Sequence, residues 1–139
     1  MNAGFTIIDH TADIGIVAYG GDLKELYANA AKGMMSLIID MCTVKLDICK
    51  NIETSASDSE ALLVAWLNEL LYVLDVEHVI LKKFEIEKLM PVSLSAKCYG
   101  EKLDLKRHRL KREVKAATYH GLSIVKANDQ YSARIIFDI

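Results

Sequence analysis

Apolar and polar residues along this chain switch between strand-like alternation and helix-like periodicity, and the switches divide it into short strands and two helices. Residues 5–9 and 14–19 read as strands, separated by the polar connection His10-Thr11-Ala12-Asp13. Gly20-Gly21 ends the second strand. Asp22 then stands where a side-chain oxygen caps the first N–H groups of a helix, with Glu25 three residues on as its capping-box partner. Leu23, Leu26, Tyr27, Ala30, Ala31, Met34 and Met35 recur at helical spacing and predict one apolar stripe facing a core.

Alternation returns over residues 42–55 through Val44, Leu46, Ile48 and, after a break, Ile52, which predicts a strand. A second helix is expected to open with Ser57 as its cap and Glu60 three positions later. Its apolar face is Leu62, Leu63, Trp66, Leu67, Leu70, Leu71 and Leu74, with Trp66 read as core. Residues 79–89 and 92–99 read as strands joined around Met90-Pro91; Pro91 belongs in the turn or at a strand start, where a missing N–H costs little. A polar, basic stretch over 106–115 follows, and residues 114–120, 122–126 and 131–137 read as closing strands. Two amphipathic helices among mostly antiparallel strands predict an α+β fold, a single domain over residues 1–139 without linker or internal repeat.

Composition narrows the picture. With 52% hydrophobic and 26% charged residues the chain can bury a core and stay soluble, and one Pro with seven Gly excludes a low-complexity chain. A net charge of −2 removes any global field that draws nucleic acid, while leaving room for a local basic patch. Cys42, Cys49 and Cys98 are odd in number and form no Cys-x-x-Cys pair, so neither a disulfide framework nor a zinc knuckle is indicated. Buried free thiols in a reducing compartment are expected. No signal peptide is legible, and no apolar run approaches the roughly 20 residues of a membrane span. A cytoplasmic protein without membrane contact is the expectation.

Candidate chemistry gathers at the C-terminal end. Ala133-Arg134-Ile135-Ile136-Phe137-Asp138-Ile139 is a nearly continuous apolar strand, so Asp138 and the carboxylate of Ile139 sit together at a defined point. Such a pair raises its own pKa values unless a cation offsets it, and oxygen-only donors suit a hard divalent ion better than zinc. The other reading is a solvated chain end. Asp13 is the natural third carboxylate, although a turn Asp also bonds its own backbone. His10 and His120 admit acid–base, metal or structural roles. No nucleophile elbow and no phosphate-binding Gly-rich loop with its Lys-Ser/Thr is present, so an enzyme is not expected. The segment Lys106-Arg107-His108-Arg109-Leu110-Lys111-Arg112 reads as a solvated loop or as a contact to phosphates or an acidic partner, without the aromatics of a base-stacking platform.

Four motifs in register resemble the archease family over the whole chain: His10-Thr11-Ala12-Asp13-Ile14-Gly15 with Ala18-Tyr19-Gly20; the helix from Leu62 through Trp66-Leu67-Asn68-Glu69 to Leu71; Lys115-Ala116-Ala117-Thr118-Tyr119-His120; and the terminal Arg134-Ile135-Ile136-Phe137-Asp138-Ile139. The resemblance implies a non-enzymatic activator of the GTP-dependent RNA ligase that joins tRNA halves. It implies promotion of ligase guanylylation and multiple turnover, and broader nucleotide use. It further implies a divalent metal, calcium in kind, bound by Asp13, Asp138 and Ile139, the last through backbone or terminal oxygens. Lys115 and His120 enter as motif residues without an assigned ligand role. RNA would then be met through the ligase. A second role tied to the family is chaperone-like modulation of a tRNA cytosine methyltransferase.

Overall fold

A computed structural model describes residues 4–9 and 14–139. Among the described residues eight strands and two α-helices follow one another: β1 (Phe5–Asp9), β2 (Ile14–Gly20), α1 (Leu23–Ile38), β3 (Ile48–Ser55), α2 (Ser59–Tyr72), β4 (Val79–Met90), β5 (Ser93–Lys102), β6 (Ala116–Ala117), β7 (Ser123–Ala127) and β8 (Gln130–Asp138). All strand pairs are antiparallel. One sheet runs β1-β2-β8-β6 with β7 also on β8, and the other runs β3-β5-β4. The helices form the layer between them: α1 touches β1, β2 and β8 as well as β4, and α2 touches β3, β5 and β6. The α+β, antiparallel, two-helix fold expected from the pattern is the one observed.

Local chemistry explains the elements. Asp22 caps α1 by accepting the Glu25 N–H at 2.8 Å, while the Glu25 carboxylate reaches past the cap to accept the Gly21 N–H at 2.9 Å. The second cap differs from expectation: Asp58, not Ser57, accepts the Ala61 N–H at 2.8 Å, and the helix begins one turn position later. Glu60 then turns away from any capping box and accepts the Ile124 N–H of β7. Asp58→Ala is therefore expected to cost about 1 kcal/mol, whereas Ser57→Ala stays within about 0.5 kcal/mol of the parent; urea denaturation of both variants checks this.

Trp66 is fully buried, meets Phe84 edge-on at 6.0 Å, and donates its indole N–H to the Tyr27 carbonyl at 3.0 Å. Its core assignment holds. Beyond Tyr72 the helix continues through a π-helical turn, Val73–Glu77, and closes on His78 in the left-handed region at φ 57°. Among the described residues no helix is long and apolar enough to cross a membrane.

Three expectations are corrected. The strand over 42–55 starts only at Ile48, after a 3-10 turn at Met41–Thr43. Residues before it spend their N–H groups elsewhere: Lys45 donates to the Glu101 carboxylate and Asp47 to the Gly100 carbonyl. The strand over 114–120 is two residues long, Ala116–Ala117. Of the three free cysteines only Cys98 is buried, its thiol pushed up to about 12 by that burial, while Cys42 and Cys49 are exposed.

Candidate functional site at the end of the terminal strand

β8 is the hub of the larger sheet. β2 lies along one edge, pairing Ile14 with Phe137 and Gly15 with Ile136. β7 and β6 divide the other edge, and β6 pairs Ala116 with Asp138 and Ala117 with Phe137. The chain neighbour of Asp13 is thus in register with the chain neighbour of Asp138. Asp13 and His10 themselves lie outside the described residues.

Partners in an antiparallel pair share a face. Asp138 therefore lies on the face of Ala116, opposite the core side that carries Ile14, Phe137 and Ala117. Asp9 pairs with Ile14 and sits on that other side, so this nearby carboxylate points away from the Asp138 face. Asp138 and Ile139 are both exposed, and the Asp138 carboxylate has no hydrogen bond or ion pair among the described residues. Unpaired carboxylate oxygen with adjoining main-chain oxygen is hard-donor chemistry of the kind that suits Ca²⁺ or Mg²⁺. Among the described residues no group of three or more His, Cys, Asp or Glu comes together to hold a metal ion.

The backbone beneath this point is braced. Lys115 donates its N–H to the Asp138 carbonyl at 2.7 Å, and Thr118 gives both its N–H (3.1 Å) and its hydroxyl (2.8 Å) to the Ile136 carbonyl. The His120 N–H in turn donates to the Thr118 hydroxyl. Asn68 of α2 completes the brace from the far edge of β6. Its Oδ1 accepts the Ala117 N–H at 2.8 Å and its Nδ2 donates to the Ala117 carbonyl at 3.3 Å. One amide thus stands in for a neighbouring strand. The sequence pattern placed Asn68 inside a motif without a role; the signal was an uncharged amide, a mediocre helix former, set within an apolar face. The Lys115 and His120 side chains are exposed beside this brace and have no side-chain partner among the described residues.

The basic segment 106–112 is less a solvated loop than a strap fastened across the molecule. Glu101, 5% exposed, is its anchor. Its carboxylate accepts from Arg107, from His108 Nε2 at 2.8 Å and from the Lys45 N–H at 2.7 Å. His108 Nδ1 accepts the Asp104 N–H at 2.9 Å, which assigns the ring proton to Nε2. The Arg107 guanidinium, with the other donors, holds the Glu101 carboxyl down at about 2 against the opposing effect of burial. Lys111 donates to the Ser36 carbonyl, and Leu110 bridges to Ile39. Lys106, Arg109 and Arg112 remain exposed and outside any ion pair among the described residues.

The archease protein family (MTH1598/TM1083) matches residues 5–139. A curated protein archease of Methanosarcina barkeri is 37% identical over 139 residues, covering 97% of this chain and 95% of that protein. One of Pyrococcus abyssi is 40% identical over 135 residues, covering 94% and 95%. The solution structure of Methanobacterium thermoautotrophicum protein 1598 superposes with a TM-score of 0.84 at 34% identity, covering 99% of this chain and all of that one.

Proposed function

This chain belongs to the archease family, and from that premise we propose that it is a non-enzymatic activator of the GTP-dependent RNA ligase of tRNA splicing. It promotes ligase guanylylation and multiple turnover, and it widens the nucleotides the ligase accepts. A divalent cation, calcium in kind, is held by Asp13, Asp138 and oxygens of Ile139. The observation that supports the site is the register of β2 and β8: Ile14 faces Phe137, and the next residue of β8 carries an exposed carboxylate without a partner among the described residues.

When bound, such an ion supplies positive charge to phosphate oxygens. The chain's own part is to hold its oxygens still. The Asp138 carbonyl is occupied by the Lys115 N–H, which leaves the side-chain carboxylate to face outward. A site with so few protein donors leaves room for groups from a partner, since Ca²⁺ takes six to eight oxygens. To activate, the chain must bind one state of the ligase more tightly than another.

The test is guanylylation and ligation by a partner RNA ligase, under single- and multiple-turnover conditions. The protein is supplied intact, as Asp138→Ala, and without Ile139. The intact chain is expected to stimulate turnover. Both variants are expected to lose at least about tenfold of that effect, the lower end of what removing even an outer-shell partner costs a metal site. Equal stimulation by all three keeps the activator and discards the metal site. Stimulation by none discards the ligase role and turns attention to the methyltransferase.

A further inference from the structure

β6 is too short to be stable by itself: two residues gain too few ladder bonds to offset the ordering of their backbone. It is nevertheless the only described segment whose ladder reaches Asp138, because β7 pairs with β8 no further than Arg134. What fixes β6 from its other side is one side chain, Asn68, which engages both the N–H and the carbonyl of Ala117. Asn68 is only partly buried and projects from α2, an element whose other inward residues, such as Leu67 and Leu70, are apolar and fully or nearly fully covered. A polar residue at that position is expensive unless both halves of its amide are used, and here they are.

We propose that Asn68 is a positioning residue for the oxygen site at the end of β8, acting through β6 on Asp138. The proposal rests on the metal reading given above. The route is continuous: the Asn68 amide sets Ala117, Ala117 and Ala116 pair with Phe137 and Asp138, and the Lys115 N–H takes the Asp138 carbonyl. The Thr118 hydroxyl on the Ile136 carbonyl is the second fastening of the same segment. A cation site works only if its donors are held close to their bound geometry before the ion arrives, and supporting hydrogen bonds supply that hold.

The experiment is a calcium titration of the full-length protein by isothermal titration calorimetry, together with hydrogen exchange at Ala117 and Asp138. Four variants are compared with the parent: Asn68→Ala, Thr118→Val, Thr118→Ser and Ile52→Val. Asn68→Ala is expected to weaken calcium binding about tenfold or more and to speed exchange at Ala117. Thr118→Val is expected to weaken it several-fold, and Thr118→Ser, which keeps the hydroxyl, to restore it. Ile52→Val loosens the other sheet and leaves calcium affinity unchanged. If Asn68→Ala does not fold, the Thr118 pair decides alone. Unchanged affinity in Asn68→Ala, or in Thr118→Val when it decides, overturns the proposal, and so does an equal loss in Ile52→Val. A parent protein that binds no calcium overturns the metal reading itself, and this inference with it.

Discussion

A Gly100→Ala variant is expected to lose at least about 4 kcal/mol of folding stability, a loss reserved for substitutions with a specific steric or burial defect. Gly100 lies in the middle strand of the smaller sheet, pairing with Ile48 of β3 and Leu81 of β4. A Cβ there would stand 1.7 Å from the Ile80 carbonyl oxygen and 2.8 Å from the Leu81 Cα. Both are backbone atoms, so no rotamer change relieves the clash; β4 and β5 must separate. They would separate beside the register shift between Leu81 and Lys83, where the ladder is already interrupted. The Gly100 carbonyl also accepts the Asp47 N–H, so the crossing segment before β3 loosens too. Gly21→Ala is the matched control, since a Cβ there meets only the flexible end of Glu25 at 3.9 Å. Guanidinium unfolding with an unchanged slope and a lower midpoint, for Gly100→Ala alone, is the expected record. Equal midpoints for the two variants would refute the steric account.

The second large effect is expected at Glu101 and appears as a dependence on acid. The folded protein holds this carboxyl at about 2, chiefly through Arg107, whereas an unfolded chain has it near 4.3. A group depressed on folding contributes stability that is whole above its unfolded pKa and is lost as pH falls through the folded one. The parent protein should therefore weaken between about pH 4.5 and pH 2, with the strap over residues 106–112 releasing in that window. Glu101→Ala removes the acceptor for Arg107, for the His108 Nε2–H and for the Lys45 N–H together. It should be unstable already at pH 7, with fast hydrogen exchange at Asp104 and His108. Glu101→Gln keeps the shape but not the charge, and its acid limb over that window should flatten. An acid limb as steep in Glu101→Gln as in the parent would assign the transition to other carboxylates.

How much of this was legible beforehand depends on whether a residue acts within its own element. The Asp22 cap, the α1 stripe, the buried Trp66 and the course of β8 depend on neighbours a few positions away, and the pattern carried them. The cap of α2 was misplaced by one because Ser57 and Asp58 both precede acceptable partners, and only packing chooses. Residues 44–47 alternate like a strand, yet their donors serve Glu101 and Gly100, some 55 positions further along. The basic segment looked free because nothing local reveals the buried carboxylate beneath it. Asp138 and Ile139 were singled out from the apolar run that ends on them, whereas Asn68 and Thr118 were not, since their partners lie on other elements. The hairpin between β7 and β8 is the reverse case: Asn128 and Asp129 both take positive φ, as a two-residue turn of this kind requires, and both are residue types that tolerate it.

The pairing of β2 with β8 joins residues 14–20 to residues 131–137. A loop of that length adds on the order of 4 kcal/mol of closure entropy before its contacts reward it. During translation, β1, β2 and α1 emerge first and must wait for nearly the whole chain before the central strand of their sheet exists. The larger sheet, and with it the edge that carries Asp138, closes only once β8 has left the ribosome. Closure of this sheet therefore rests on long-range pairing, the class of contact that slows folding relative to the local contacts within α1 and α2.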